Sequence, residues 1–443
     1  MASSAAAAAF AFHYVPSRLL GADAPSNKLN IAGIGVGGQG RGNLRQCKNE
    51  NIVALCDVDS DYAAKTFKMF PDAKVYTDYR KMFDKEKDID AVVIATPDHT
   101  HAVITMEAIR RGKHIYCQKP LTHTVYEARM ITEAARKAGI QTQMGNQGHS
   151  SESIRLMKEW IADGAIGDVR QVYAWTDRPV GGNPWSNFAV WARPKDTPAV
   201  PKSLDWDKWI GPAPYRPYHP AYHPMKWRAW MDFGTGALGD MGCHIIDPAF
   251  YALELGAPET VEATTTHWEP DVMNETFPRA SIVRFEFPAR GKMPPVKLTW
   301  SDGRLMPPRP DELEKGRRLP ASGALIIGEK GKGGMMHGSH GAGGLRIFPE
   351  TKMRAYDRPA KTIERVKGGH FGDWLRACKE GKNGKPGSSS FEYGGPLTEL
   401  ALLGMIAIRM PNQKLRWDTK NLRFTNNEAA NKLLHIDYRP GWK

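Results

Sequence analysis

The sequence predicts an α/β protein of two domains: a doubly wound domain on a parallel sheet, then an α/β domain with an open, largely antiparallel sheet. Three observations predict this fold class. A glycine-rich turn follows the first apolar strand, strands and helices alternate up to about residue 148, and a run of strands with few helices comes after it. We therefore expect domains at residues 29–148 and 149–443, preceded by a distinct segment at residues 1–28.

The first domain consists of short apolar strands separated by helical stretches. Strands are predicted at residues 28–34, 52–56, 91–95, 113–117 and 141–144, and helices at 100–111 and 125–138. This alternation is typical of a parallel sheet, because each parallel strand needs a crossover connection to the next.

The second domain has a different pattern. Strands are predicted at residues 169–175, 261–267, 281–287, 296–300, 324–327 and 345–348, with helices within 150–170 and at 396–410. A glycine-rich loop is expected at residues 331–344. Because few helices separate these strands, the sheet should be mostly antiparallel.

The turn after the first strand has the glycine spacing of a dinucleotide-binding site. Its backbone should approach a pyrophosphate at the start of a helix. The residues expected to contact the cofactor are Gly35, Gly37, Gly38, Gln39 and Gly40. Glycine-rich loops are common, so the spacing alone is a weak signal, but its position between a strand and a helix is specific.

An acidic residue at the end of the second strand indicates which dinucleotide binds. Asp57 can accept hydrogen bonds from both hydroxyls of the adenosine ribose, and its charge would repel a 2′-phosphate. The next two residues, Val58 and Asp59, include no arginine to bind such a phosphate. The sequence therefore favours NAD over NADP.

Two later motifs supply candidate chemistry. Lys119 follows a predicted strand, and open α/β sheets bind ligands at such strand ends. Its ammonium group can stabilise an alkoxide there. The alternative is that this Lys-Pro pair is only a surface turn. If residues 236–247 form one helix, Asp240, His244 and Asp247 share a face, and His244 can accept a proton near neutral pH. A buried capping network and a metal site are the alternatives. We expect no metal, because no second histidine joins that face.

Together these motifs resemble the Gfo/Idh/MocA family of oxidoreductases over roughly residues 28–420. The resemblance rests on the glycine turn, Asp57, the loop Thr96-Pro97-Asp98-His99-Thr100-His101, Lys119-Pro120, and Gly239-Asp240 through His244. It implies a Rossmann-type first domain and a cis peptide bond before Pro120. The sequence departs from the family at Gln118, where a glutamate usually precedes the lysine.

The resemblance also implies roles for single residues. Lys119 and His244 are implied to be catalytic, with Asp240 orienting the substrate. The further cofactor contacts that it implies are Thr96, Pro97, His101, Lys119 and Asn146.

An aromatic segment lies between Trp175 and Trp230, which holds seven of the 13 tryptophans. Flat aromatic faces beside hydrogen-bonding groups suit a sugar ring, although about half of these residues are expected only to pack the segment. The residues expected to line a substrate pocket are Trp191, Arg193, His223, Trp227, Arg228 and Asp232, together with Asp240.

The function predicted is hydride transfer between a ring carbinol carbon of a sugar or glycoside and the nicotinamide of NAD. One alternative is a redox-neutral glycosidase that keeps its NAD: oxidation at C3 acidifies the C2 proton, the C1 substituent is eliminated, water is added and C3 is reduced again. The other is a non-catalytic NAD-binding sensor, which the joint presence of Lys119, Asp240 and His244 disfavours.

The amino-acid composition limits which binding partners are expected. The formal charge of +13 is spread among acidic residues without basic clusters, so we expect no nucleic acid; a solvated basic surface is the simplest explanation, and an acidic or sulfated glycan the alternative. No apolar run is long enough to span a membrane. We expect a homodimer or homotetramer, as the family resemblance implies.

Residues 4–12 are small and apolar and resemble the core of an export signal without its charged start. This predicts a periplasmic or exported protein. A flexible arm on a cytoplasmic protein is the alternative.

Overall fold

The computed structural model describes residues 27–179, 192–266 and 275–442. Residues 1–26, on which the export prediction rests, lie outside this range. So does Trp191.

The first sheet contains six parallel strands in the order β3-β2-β1-β4-β5-β6. Its strands are β1 (Asn30–Ile34), β2 (Asn51–Cys56), β3 (Lys74–Tyr76), β4 (Ala91–Ile94), β5 (His114–Cys117) and β6 (Thr142–Met144). Its crossover helices are α1 (Gly38–Gln46), α2 (Ser60–Met69), α3 (Tyr79–Lys85), α4 (Asp98–Arg110) and α5 (Val125–Ala138). The strand order reverses between β1 and β4, and ligands bind beyond the carboxyl ends of the strands at such a reversal.

The second sheet contains nine strands in the order β13-β12-β11-β7-β10-β9-β8-β14-β15. Its strands are β7 (Gln171–Trp175), β8 (Thr260–Thr265), β9 (Ser281–Phe287), β10 (Val296–Ser301), β11 (Gly323–Ile327), β12 (Gly334–Gly338), β13 (Arg346–Phe348), β14 (Leu415–Asp418) and β15 (Arg423–Phe424). In the described residues, β7 and β10 pair in parallel, and the other neighbouring strands of this sheet pair antiparallel. The predicted fold class, α/β with a parallel and then a largely antiparallel sheet, is confirmed.

The remaining helices lie around this second sheet or return to the first. They are α6 (Glu152–Ala162), α7 (Trp206–Ile210), α8 (Gly236–Ile245), α9 (Asp247–Ala252), α10 (Glu350–Ala355), α11 (Gly369–Glu380), α12 (Phe391–Arg409) and α13 (Glu428–Asn431). Helix α12 packs against α5 of the first domain and against α8, β8 and β9 of the second. It is apolar and buried on nearly every side because it lies between the two domains.

Two local predictions were wrong. The loop expected at residues 331–344 contains strand β12, which pairs with β11 through the apolar stretch between two glycines. The single helix expected at residues 236–247 ends at Ile245, and a second helix begins at Asp247. Pro248 explains the break, because a proline has no N–H to continue the first helix but suits the first turn of the next.

Candidate active site

A cavity of about 350 Å³ lies at the carboxyl ends of strands β1, β2, β4 and β5, between the first domain and residues of the second. The residues that follow β2 and β3 line one end, and those that follow β4 and β5 line the other. Of the predicted cofactor contacts, Gly35, Gly37, Gly38, Gln39, Asp57, Thr96, Pro97, His101 and Lys119 line it.

The glycine turn is packed so closely that a side chain at Gly37, Gly38 or Gly40 would clash with its neighbours. A Cβ at Gly37 would lie 2.1 Å from the Tyr62 ring, and one at Gly38 would lie 2.4 Å from the Tyr62 hydroxyl. A Cβ at Gly40, which does not line the cavity, would lie 2.0 Å from the carbonyl oxygen of Gly35 and would prevent helix α1 from approaching the strand. No side chain in the described part of the chain caps the N-terminus of α1, so its backbone N–H groups remain available to a phosphate.

Asp57 lies directly beside this turn. Its carboxylate accepts hydrogen bonds from the backbone N–H groups of Val36 (2.8 Å) and Gly37 (3.1 Å), and from that of Asp59 (3.0 Å). Burial raises the pKa of Asp57 to about 6, against the opposing effect of these hydrogen bonds. The glycine turn and the acid predicted to bind the ribose are therefore hydrogen-bonded to each other.

Residues after β4 and β5 form the other wall. His101 joins the two loops, since its ring nitrogens lie 2.9 Å from the carbonyl oxygen of Pro120 and 2.8 Å from that of Thr96. The Lys119–Pro120 bond is cis, as predicted. Gln118 is buried at the cavity wall, and its Nε2 has no hydrogen-bond partner among the described residues. An amide donor held there without a partner fits a polar ligand in the cavity.

At this end, Asp240 is the centre of a cluster of charges. Lys119 Nζ donates to the Asp240 carboxylate (2.9 Å) and to its backbone carbonyl (2.7 Å). Arg178 also donates to that carboxylate, and Arg228 Nε lies 3.5 Å from it. Burial opposes the charge on Asp240, but Lys119, Arg228 and Arg178 together hold its pKa far below the usual range. Asp240 is therefore a carboxylate at any physiological pH. The Asp240 carboxylate therefore supplies a negative charge next to Lys119, whereas the neutral Gln118 supplies none.

His244 lies one helical turn beyond Asp240 and is buried. Burial lowers its pKa well below 6.5, and the nearby Lys119 and His340 lower it further. Its Nδ1 is buried without a hydrogen-bond partner in the described structure. The ring of His340, which is exposed, lies 4.4 Å from the His244 ring between centroids. The site therefore contains two neighbouring imidazoles, and His244 is neutral and able to accept a proton.

Two residues of the predicted site lie elsewhere. Asn146 is fully buried and does not line the cavity: its amide donates to Asp247 (3.1 Å) and accepts from the Ser389 hydroxyl (2.6 Å). Asp247 does not line the cavity but pairs with His149 (2.9 Å). Asn146 and Asp247 thus belong to a buried network behind the site.

The aromatic segment divides between packing and the cavity. Trp206, Trp209, Tyr222, Trp230 and Phe233 form a buried cluster, of which Trp209 also reaches the cavity wall. Three predicted pocket residues line the cavity: His223, Trp227 and Arg228.

These three residues lie at different places along the cavity. Arg228 lies over the Trp227 ring, 4.2 Å from its centroid, and reaches Asp240. His223 instead donates to Asp59 (2.7 Å), at the end of the cavity near Asp57.

Two other predicted pocket residues do not line the cavity. Asp232 pairs with the buried Arg216, which also contacts Glu275 (3.1 Å). Arg193 is exposed and pairs with Glu275 (2.7 Å). The ion pairs of Arg193 and Asp232 stabilise the irregular aromatic segment. The sequence alone does not reveal these pairings.

The cavity residues that the sequence analysis missed include Tyr62, Arg178, His340 and Trp442. Only the doublet Arg178-Pro179 directly after strand β7 gave a local signal, since it resembles the position of Lys119-Pro120 after β5. The other three lie in segments without a recognisable motif.

Among the described residues, no group of three or more His, Cys, Asp or Glu side chains could hold a metal ion. In the same residues, none of the helices is long and apolar enough to cross a bilayer.

A six-stranded Rossmann sheet with this turn, acid and lysine–histidine cleft defines an NAD-binding oxidoreductase fold. The family models agree: residues 28–146 match the model described as the oxidoreductase family, NAD-binding Rossmann fold, and residues 152–281 match the C-terminal alpha/beta domain of the same family. The chain belongs to the Gfo/Idh/MocA family of oxidoreductases.

Several named relatives are sugar or polyol dehydrogenases. Levoglucosan dehydrogenase from Pseudarthrobacter phenanthrenivorans is 28% identical over 218 residues, 49% of this chain and 46% of that protein. Inositol 2-dehydrogenase from Serratia proteamaculans is 31% identical over 164 residues, 36% of this chain and 48% of that protein. The matches thus span about half the length of these relatives.

Solved structures share the whole fold. The WlbA dehydrogenase from Bordetella pertussis, in complex with NADH and UDP-GlcNAcA, superposes with a TM-score of 0.60 at 15% identity, over 88% of this chain and 99% of that one. A levoglucosan dehydrogenase in complex with NADH gives a TM-score of 0.55 at 20% identity, over 87% and 98% of the two chains.

Proposed function

We propose that this protein is an NAD-dependent oxidoreductase that acts on a ring hydroxyl of a sugar or glycoside. The observation that carries the proposal is the placement of Lys119, Asp240 and His244 at the end of the cavity opposite Asp57. The names of the sugar and polyol dehydrogenases that the chain resembles support the substrate class.

His244 is the proposed proton acceptor. It is neutral because burial and two neighbouring cationic or imidazole groups disfavour its protonated form. A neutral imidazole next to a substrate hydroxyl can take its proton as the carbinol carbon is oxidised. NAD, when bound, accepts the hydride from that carbon.

Lys119 and Asp240 are proposed to act on the oxygen that loses this proton. The Lys119 ammonium stabilises negative charge developing there, and the low-dielectric site strengthens that effect. Asp240 holds the ammonium in position through the 2.9 Å ion pair and is itself held by Arg178. Removing Asp240 would therefore misplace Lys119 as well as remove a substrate-orienting carboxylate.

The test is turnover of a panel of sugars, polyols and glycosides by purified protein with added NAD, followed through NADH absorbance and product mass. Lys119→Ala and His244→Ala variants serve as controls for the site. A protein that binds NAD but turns over no member of the panel would instead support a sensor.

A second candidate function is the redox-neutral glycosidase with retained NAD, and His340 favours it. Such a cycle needs one base for the C3 hydroxyl and another for the C2 proton. His340 adjoins His244, and its pKa is lowered too, mainly by burial. Cleavage of a glycoside whose aglycone absorbs light, without added cofactor, tests this candidate.

Location and assembly are further proposals. The small, apolar residues 4–12 support export, and the family resemblance supports a homodimer or homotetramer. Cell fractionation of the full chain and light scattering of the purified protein test the two proposals separately.

A further inference from the structure

We propose that residues 433–442, here called the strap, close the adenosine end of the NAD site, with Trp442 as the wall against the adenine. This inference depends on the NAD-binding domain and not on the sugar chemistry proposed above. It concerns how firmly the cofactor is held.

The strap is attached to two separate parts of the molecule. On the first domain, the backbone N–H of Tyr126 donates to Leu434 (3.0 Å), and the Tyr438 hydroxyl donates to Glu127 (2.5 Å). On the other side, Arg439 donates to the backbone carbonyls of Gly211 (3.1 Å) and Asp207 (2.8 Å). The strap therefore connects the start of helix α5 to helix α7 and the residue that follows it.

Beyond its second anchor, the strap brings Trp442 to the cavity. Trp442 is only 8% exposed and lines the cavity together with Thr77, Asp78 and Tyr79, which follow strand β3. The Arg80 guanidinium lies 4.6 Å from the centre of the Trp442 ring and donates to the Gly441 carbonyl (3.4 Å). Arg80 is itself paired with Asp78 (3.1 Å), so the indole is fixed to the first domain.

The position of this indole indicates its ligand. Asp57, after β2, receives the adenosine ribose, and the adenine is bonded directly to that ribose. The adenine therefore lies among the residues that follow β2 and β3, where Trp442 forms part of the wall. A nucleic-acid base stacks well on the flat face of an indole. Losing such a stacking contact weakens binding by about tenfold or more.

The strap thus gives a physical reason for slow release of the cofactor. NAD bound beneath it could leave only after Trp442 moves, which requires breaking the Arg80 and Arg439 contacts. Most differences in affinity between related complexes arise in the dissociation rate.

The experiment measures NAD binding directly, without substrate. Protein stripped of cofactor is titrated with NAD and with nicotinamide mononucleotide, which lacks the adenosine, and NAD dissociation is followed by stopped-flow fluorescence. For Trp442→Ala we expect NAD to dissociate about tenfold faster while affinity for the mononucleotide is unchanged. Trp442→Phe should keep most of the retention.

His435→Ala is the matched control, because His435 lies in the same strap but packs on Tyr126, 4.9 Å between ring centroids. Circular dichroism of each stripped variant establishes that it folds. Unchanged NAD dissociation in a folded Trp442→Ala protein, or equal losses for NAD and the mononucleotide, would overturn the proposal. If Trp442→Ala does not fold, the Trp442→Phe and Arg439→Ala proteins decide it: unchanged dissociation from Arg439→Ala contradicts the strap. A wild-type protein inactive on every sugar would leave this result intact.

Discussion

At the scale of single residues, Asp57 is the residue that we propose selects the dinucleotide. Its carboxylate can accept from the ribose hydroxyls and repels a 2′-phosphate. We expect NAD to bind much more tightly than NADP. The Asp57→Ala substitution should reduce the difference between the two affinities. Comparable affinities of the wild-type protein for both cofactors would contradict this assignment.

Asp57 also makes that preference depend on pH. Burial raises its pKa to about 6, so below that pH the free protein carries a neutral acid at this position. The protonated acid no longer repels a phosphate. The ratio of the NADP to the NAD dissociation constant should therefore fall as the pH is lowered from 7.5 to 5. Asp57→Asn, which is neutral at every pH, should show no such trend.

His244 is the residue whose loss should most directly affect proton transfer. His244→Ala is expected to lower turnover by about 10²–10⁴-fold, as for the loss of a general base, while NAD affinity stays nearly unchanged. Wild-type turnover by this variant would remove His244 from the mechanism.

The pH profile tests the environment of His244. A base must be unprotonated to act, and burial, Lys119 and His340 lower the pKa of His244. The acidic limb of kcat/KM should therefore lie below pH 6.5, the ordinary value for histidine. Removing His340 removes one of the lowering influences, so His340→Asn should move the limb upward. An unmoved limb would mean that the two rings do not interact in the working enzyme.

At the scale of elements, the sequence was most informative where the signal is local. The turn from Gly35 to Gly40 and the acid at Asp57 depend on neighbours along the chain. Five strands of the first sheet were also predicted from local apolar runs, whereas β3 was missed. The helix break at Ile246 was missed, although Pro248 gives a local signal for it.

The site residues that the sequence did not reveal depend on contacts with residues far away along the chain. Arg178 meets Asp240 from 62 positions away, and His340 reaches His244 from a loop of the second sheet. Neither pairing has a periodicity or spacing to predict it. Asp232 and Arg193 were misassigned for the same reason, since their partners Arg216 and Glu275 are set by the fold.

Helix α11 gives a prediction about stability at this scale. It returns from the late part of the chain to cover the first sheet, where Phe371 stacks on Tyr116 (4.3 Å between centroids) and Trp374 is fully buried. Trp374→Ala should destabilise the protein by about 3–5 kcal/mol, as for other buried large-to-small changes. Trp374→Phe should cost less, since Trp374 Nε1 has no partner to lose in the described structure. Denaturant unfolding monitored by circular dichroism measures the stability of both variants. If both are as stable as the wild-type protein, the packing of α11 contributes little to stability.

At the scale of the whole molecule, one cavity runs between the two domains and joins the nucleotide end at Asp57 to the reacting end at His244. The buried helix α12 packs against elements of both domains, and the strap is proposed to close the adenosine end. If the strap closes over NAD as proposed, NAD is a resident group and not a diffusing co-substrate. This distinction determines which overall reaction the protein can sustain.

The last prediction follows from that enclosure. If the cofactor stays bound through many cycles, the reduced form must be reoxidised in place, either by a second sugar or by the same sugar later in its own cycle. We expect NAD to copurify with the full chain, detectable by mass spectrometry after denaturation. We also expect any glycoside cleavage to proceed without added NAD and without accumulation of NADH. The measurement follows NADH absorbance and aglycone release in the same cuvette, with His244→Ala as the control for adventitious hydrolysis. NADH released in step with product, and only when NAD is added, would instead identify a dehydrogenase that exchanges its cofactor at every turnover. That result would exclude the redox-neutral glycosidase, and the dissociation rate of the Trp442→Ala protein would then show whether the strap opens during each cycle.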